Sequence, residues 1–205
     1  MQPTFILASG SPRRRELLAG LGIEFTVVKS DIDETQGASE DPYAYVRRLS
    51  VEKAHAVTER VEADEAFLLA ADTVVILSAD TMGVIDGEIV GKPADADDAR
   101  AMLKRLRGRG HIVCTALTLL KLEDGAITHQ NTRLTRTEVI MRDYSDAEID
   151  AYIATGDPFD KAGSYAIQHE GFHPVARIEG SYTNVVGMPV ETLTEMLAAI
   201  GYNQG

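Results

Sequence analysis

A single cysteine, Cys114, occurs in the 205 residues, so no disulfide can close within the chain and a disulfide-stapled secreted scaffold is excluded. No apolar run approaches the roughly 20 residues that cross a bilayer. Met1 to Ser9 places no charged segment ahead of a long apolar one, as an export signal would. These absences lead to an expectation of a cytoplasmic protein without a membrane partner. Basic residues are also in deficit, 20 Lys and Arg against 32 Asp and Glu, for a net charge of -12. Such a field repels nucleic acid and excludes broad binding to a phosphate backbone.

Several catalytic signatures are missing. The P-loop pattern fails because Pro93 follows Lys92. There is no G-x-S-x-G elbow, no H-E-x-x-H helix and no C-x-x-C pair. His55, His111, His129, His169 and His173 lack the spacing of zinc ligands. Internal repeats and low-complexity linkers are absent too, and a hydrophobic content of 44% suffices for a buried core. One domain over residues 1–205 is expected.

What is present reads as mixed α/β. Thr4 to Ala8 has the pattern of a short buried strand. Ser11 as N-cap, Pro12 at the first helical position and Gly22 past the end bracket a helix over Arg13 to Leu21. A second helix, opened by Asp41-Pro42, runs to about Val61 with Val46, Leu49 and Val57 on one face and Lys53 at its border. Ala66 to Leu77 is a near-continuous apolar run, broken at Asp72-Thr73. Val84-Ile85 and Ile89-Val90 flank the hairpin signal Asp86-Gly87. Asp95 to Arg107 predicts a helix with Ala99, Met102, Leu103 and Leu106 inward. A long hairpin over His111 to Met141 turns at Glu123-Asp124-Gly125. Ser145 and Glu148 have capping-box spacing, and a last helix runs from about Pro189 to Ile200. The expected architecture is a central twisted mixed sheet flanked by helices, in two lobes with a cleft.

Four places carry candidate chemistry. Ser9, Ser11, Arg13 and Arg14 stand where a strand gives way to a helix N-terminus, whose unpaired N-H groups and positive dipole end favour phosphate. Arginines there oppose the dipole unless an anion lies between them, whereas Arg15 points elsewhere. Asp72 is an acid within an apolar run, where an ionised carboxylate is costly without a cation, metal or donors. It is a candidate magnesium ligand, proton acceptor or both, with capping of a nearby turn as the structural alternative. Asp31, Asp33 and Glu34 crowd acids into one loop, as a divalent-metal site or as a plain acidic surface would. Lys92, between Gly91 and Pro93, is placed to neutralise a phosphate.

The ordered strings Leu7-Ala8-Ser9-Gly10-Ser11-Pro12-Arg13-Arg14, Ala71-Asp72-Thr73-Val74-Val75, Gly91-Lys92-Pro93, Asp160 to Gln168, and Gly180-Ser181-Tyr182 through Met188-Pro189 resemble the Maf family of nucleoside triphosphate pyrophosphatases. The resemblance implies a fold similar to that of the inosine triphosphate pyrophosphatases, a homodimer, and a divalent cation, Mg or Mn. It implies attack of water at the α-phosphorus and release of pyrophosphate. Asp72 then matches the proton acceptor and a metal ligand, and Glu34 a metal-associated carboxylate. Arg13, Arg14, Lys53 and Lys92 match the triphosphate clamp. Arg13, Thr73 and Gln168 match positions tied to substrate preference, and their combination resembles the dTTP and UTP branch more than the 7-methyl-GTP branch. His169-Glu170-Gly171 departs from the family pattern, in which glycine commonly follows the glutamine. The family is also linked to septum formation, so a non-catalytic role through a protein partner is the rival expectation. Another phosphate-handling enzyme, a phosphatase or nucleotidyl transferase, is the second.

Overall fold

The computed structural model describes residues 3–62 and 73–202. In chain order the elements are β1 (Thr4–Leu7), α1 (Pro12–Ala19), β2 (Thr26–Val27), α2 (Pro42–Glu62), β3 (Thr73–Ile85), β4 (Glu88–Val90), α3 (Ala96–Leu106), β5 (Gly110–Glu123), β6 (Ala126–Met141), α4 (Asp146–Ala154), β7 (Val175–Glu179), α5 (Tyr182–Val186) and α6 (Val190–Ala199). The strands form a seven-stranded mixed sheet in the order β2-β1-β3-β5-β6-β7, with β4 paired to β3. Two compact units share the chain: Met1–Asp80, Thr115–Thr135 and Gly187–Gly205 make the first, and Thr81–Cys114 and Arg136–Val186 the second. The mixed α/β expectation is met.

In the first unit β1 runs parallel to both β2 and β3, with Thr4 opposite Val74 and Leu7 opposite Leu77. Parallel strands are covered on both faces, so their side chains are apolar on both. Alternation then sorts them. Phe5, Leu7, Val75 and Leu77 pack with Leu18 of α1 and with Leu193 and Met196 of α6. Ile6, Val74 and Ile76 pack with Ala54 and Val57 of α2. The same alternation sends Ser78 and Asp80 to the α2 side and Ala79 to the other.

That placement explains why two expected runs are one strand. Ser78 and Asp80 interrupt the apolar pattern, yet both find partners on α2. The Ser78 hydroxyl donates to the Ser50 carbonyl, and Asp80 meets Lys53. Satisfied polar groups no longer break a buried strand, so β3 continues for 13 residues to Ile85. Ala66 to Asp72, the earlier part of the expected run, lies outside the described residues. Helix α1 stops at Ala19, short of Leu21, and Gly22 follows with φ 72°. Helix α2 starts as expected, because Asp41 Oδ1 accepts from the N-H groups of Tyr43 and Ala44 at 2.9 and 3.1 Å.

The second unit is built from local signals that act as read. Asp86 and Gly87 both take positive φ, 55° and 80°, and let β3 turn back into β4. Asp95 caps α3 by accepting from the Asp98 N-H. Ser145 and Glu148 form the reciprocal capping box of α4. Ala99, Leu103, Leu106, Ile149, Tyr152 and Phe172 share one core. Lys161 opens a short 3-10 turn, and its ammonium is committed to Asp157 and Asp160 at 2.8 and 2.7 Å.

One buried group in this unit makes stability depend on pH. His111 is 4% exposed and its Nε2 shares a hydrogen bond with the Tyr165 hydroxyl at 2.8 Å. Burial pushes the imidazole down from 6.5 to about 4. Between these values the unfolded chain binds the proton and the native chain does not, so stability rises with pH. The contribution is complete above 6.5 and is lost as pH falls through the window, up to about 3 kcal/mol. His111→Gln should therefore flatten the melting temperature against pH between 6.5 and 4. An unchanged slope contradicts this assignment.

Candidate active site

The site forms where β1 ends and the chain enters α1. Ser9 is buried, and its hydroxyl oxygen accepts from the Ser11 N-H at 3.3 Å and from Arg14 Nη1 at 3.1 Å. Ser11 occupies the N-cap position, but its side chain makes no capping hydrogen bond, and no acid lies in the first turn of α1. The expected serine cap is thus replaced by a Ser9 hydroxyl that gathers the loop. Helix α1 opens instead on Arg13, Arg14 and Arg15. A Cβ at Gly10 would stand 3.3 Å from Lys29 Cε, so the Lys29 side chain packs close to the backbone of this loop.

Arg14 is tied into the protein. Besides Ser9, it donates to the carbonyl oxygens of Ala79 at 2.8 Å and Gly187 at 2.9 Å. It thereby joins the β1 loop, β3 and the start of the C-terminal segment. Burial holds its pKa below the usual arginine value, against the carboxylates of Asp80 and Glu34, while the nearby Arg13 charge adds to the depression. Arg14 therefore stands near Arg13 and two acids.

The central acid is Asp80. It is 8% exposed, and its Oδ1 accepts from Lys53 Nζ at 2.7 Å. Lys53, equally buried, also meets Glu34 Oε1 at 2.8 Å. Burial raises the Asp80 pKa, and Lys53 and then Arg14 hold it down. One ammonium thus serves two carboxylates, a pairing that resists desolvation only while all three groups remain.

Asp72 lies outside the described residues. Its neighbour Thr73 begins β3 next to Val74, which is opposite Thr4 at the start of β1. Seven extended steps separate Thr73 from Asp80, about 23 Å at the usual rise. The structure does not bring Thr73 to the loop of Ser9 and Arg14, and the acid it does bring there is Asp80. The tripeptide Ala-Asp-Thr occurs twice, at Ala71-Asp72-Thr73 and Ala79-Asp80-Thr81. The sequence reading settled on the first copy and missed the second.

Of the three clustered acids, Asp31 pairs with Arg60, and Asp33 accepts from the N-H and hydroxyl of Thr35. Glu34 alone turns to Lys53. Among the described residues no group of three His, Cys, Asp or Glu side chains is placed to hold a metal ion. The donor chemistry still suits magnesium or manganese, since Glu34 and Asp80 offer two carboxylates on one cation and such ions are commonly held by one or two carboxylates plus substrate phosphates. In the second unit, Lys92 is exposed just after β4 and Gln168 is exposed beyond the 3-10 turns.

The chain is similar to known proteins along nearly its whole length. The family described as Maf-like protein matches residues 4–200. A dTTP/UTP pyrophosphatase of Chromobacterium violaceum is 47% identical over 199 residues, covering 96% of this chain and 94% of that protein. One of Myxococcus xanthus is 48% identical over 200 residues, covering 98% and 94%. The structure of a HAM1 protein from Coxiella burnetii aligns over 97% of this chain and all of that one, with a TM-score of 0.49 and 12% identity. A family match over residues 4–200, with relatives 47% and 48% identical along nearly the whole chain, makes this chain a member of the Maf-like protein family.

Proposed function

We propose that this protein hydrolyses nucleoside triphosphates, dTTP and UTP foremost, to the monophosphate and pyrophosphate, removing surplus or non-standard nucleotides. The observation that carries the reading is Asp80, a buried acid held by Lys53 beside Arg14, in a chain nearly half identical to dTTP/UTP pyrophosphatases. Hydrolysis at the α-phosphorus needs a water deprotonated at the right place and positive charge around the triphosphate. Asp80 is the proton acceptor in this reading. Lys53 keeps it ionised and fixes the oxygen that faces the water. Arg13 and the uncapped first turn of α1 attract phosphate oxygens, while Arg14 holds the loop in shape and lends its charge. Glu34 and Asp80 would hold a divalent cation, which would supply neutralisation of the leaving pyrophosphate.

The remaining assignments rest on the resemblance. Lys92 is the further phosphate-neutralising residue, and Gln168 reads the base, since its amide both donates and accepts. The substrate-preference role expected of Thr73 passes to Thr81, which follows Asp80 in the same Asp-Thr order. A homodimer and a cytoplasmic location complete the proposal, and no described helix is long and apolar enough to cross a membrane.

Phosphorus NMR of UTP incubated with the purified protein and Mg²⁺ tests the reaction. The expected products are UMP and pyrophosphate; UDP and orthophosphate would falsify the assignment and favour a phosphatase. Gln168 is exposed, so Gln168→Ala should leave the melting temperature within about 2 °C. It should shift the ratio of UTP to GTP turnover by about tenfold. An unchanged ratio removes Gln168 from base recognition.

A further inference from the structure

The loop that carries Glu34 has few apolar contacts of its own, since residues 33 to 39 are all exposed. It is nevertheless held to one face of α2. Tyr45 Oη donates to the Glu34 carbonyl oxygen at 2.6 Å. One turn on, Arg48 Nη2 donates to the next carbonyl, that of Thr35, at 3.1 Å. The same guanidinium grips Glu40 with two parallel bonds, Nε to Oε1 at 2.7 Å and Nη2 to Oε2 at 2.9 Å, and meets Glu52 at 3.0 Å. The Arg48 guanidinium also lies over the Tyr45 ring, 5.5 Å from its centre. A planar fork of this kind fixes direction as well as charge. Its hold on Glu40 keeps that carboxyl down at about 2.

Residues 45, 48 and 52 recur at helical spacing, and Lys53, which binds the Glu34 side chain, follows directly. The helix therefore holds Glu34 twice, by its backbone through Tyr45 and by its carboxylate through Lys53. Among the described residues, the hydrogen bonds that Tyr45 and Arg48 donate go to Glu34, Thr35, Glu40 and Glu52. Resting on the pyrophosphatase reading, we propose that Tyr45 and Arg48 are positioning residues, a clamp that sets the Glu34 carboxylate beside Asp80 so that the two receive a divalent cation together.

Mn²⁺ titration followed by electron paramagnetic resonance of the unbound ion reads this without any turnover. Tyr45→Phe removes one hydroxyl and keeps the ring, and Arg48→Lys keeps the charge and loses the fork. Each should weaken Mn²⁺ binding by about fivefold or more and speed amide exchange at residues 34 to 37. In a Glu34→Gln background, Tyr45→Phe should add less than a twofold further loss, because the clamp acts through Glu34. A lower melting temperature with Mn²⁺ affinity unmoved overturns the proposal and leaves a purely structural role. Equal losses with and without Glu34 overturn it as well, as does wild-type protein that binds no Mn²⁺. Wild-type protein that binds Mn²⁺ but releases no pyrophosphate from UTP refutes the pyrophosphatase reading instead, and the clamp is then judged on the Mn²⁺ affinities alone.

Discussion

Asp80→Asn is expected to lower kcat for pyrophosphate release from UTP about a thousandfold, within the range spanned by loss of a positioned general base. The amide keeps the shape of the side chain and still accepts from Lys53, whose ammonium retains Glu34. The fold should therefore survive, at a cost of about 1–3 kcal/mol for the weakened pair. Asp72→Asn is the matched control. The two acids share the tripeptide Ala-Asp-Thr, but Thr73 stands at the opposite end of β1 from Ser9, and Asp80 stands with Arg14 and Lys53. With the proton acceptor assigned to Asp80, Asp72→Asn should retain activity within about tenfold of wild type. The reverse order of effects contradicts the assignment of Asp80.

Lys53→Met is expected to lower kcat/KM by two to three orders of magnitude, on the scale of losing a preorganised electrostatic group, and to destabilise the protein by about 3 kcal/mol at neutral pH. Methionine fills the space, so the loss is electrostatic. Asp80 then remains buried without its cation, and its pKa, already raised by burial, rises further. The sign follows from proton linkage: an acid whose folded pKa exceeds its unfolded value binds its proton more readily in the native state, so stability increases as pH falls through that raised pKa. The difference in melting temperature between wild type and Lys53→Met should narrow between neutral pH and pH 5. A gap that stays constant or widens on acidification contradicts the burial of Asp80 as the origin of the effect.

Much of this arrangement is legible in the sequence because it is written locally. The turns at Asp86-Gly87 and Asp124-Gly125, the caps at Asp41, Asp95 and Ser145, and the basic entrance to α1 each depend on residues close along the chain. The choice between Asp72 and Asp80 lies where locality ends. Which acid faces the Ser9 loop depends on the register of β3 against β1, and parallel register is set by packing against α1, α2 and α6, not by any short motif. The available signal was the second Ala-Asp-Thr, eight residues nearer to Gly91-Lys92-Pro93. Ser78, Asp80 and Thr81 interrupt the apolar pattern that marks the strand. Their partners on α2, Ser50 and Lys53, lie about thirty residues upstream, which no apolar periodicity reveals. The clamp of Tyr45 and Arg48 escaped for the same reason, since helical spacing shows which residues share a face but not which loop that face will hold.

Hydrolysis of UTP in water enriched in oxygen-18 tests the central claim most directly. A water activated beside Asp80 and delivered to the α-phosphorus leaves its oxygen in the monophosphate. Mass spectrometry should find one labelled oxygen in UMP and none in pyrophosphate. Label in the pyrophosphate, with UMP unlabelled, means that water attacked the β-phosphorus, and the account of this site is then wrong.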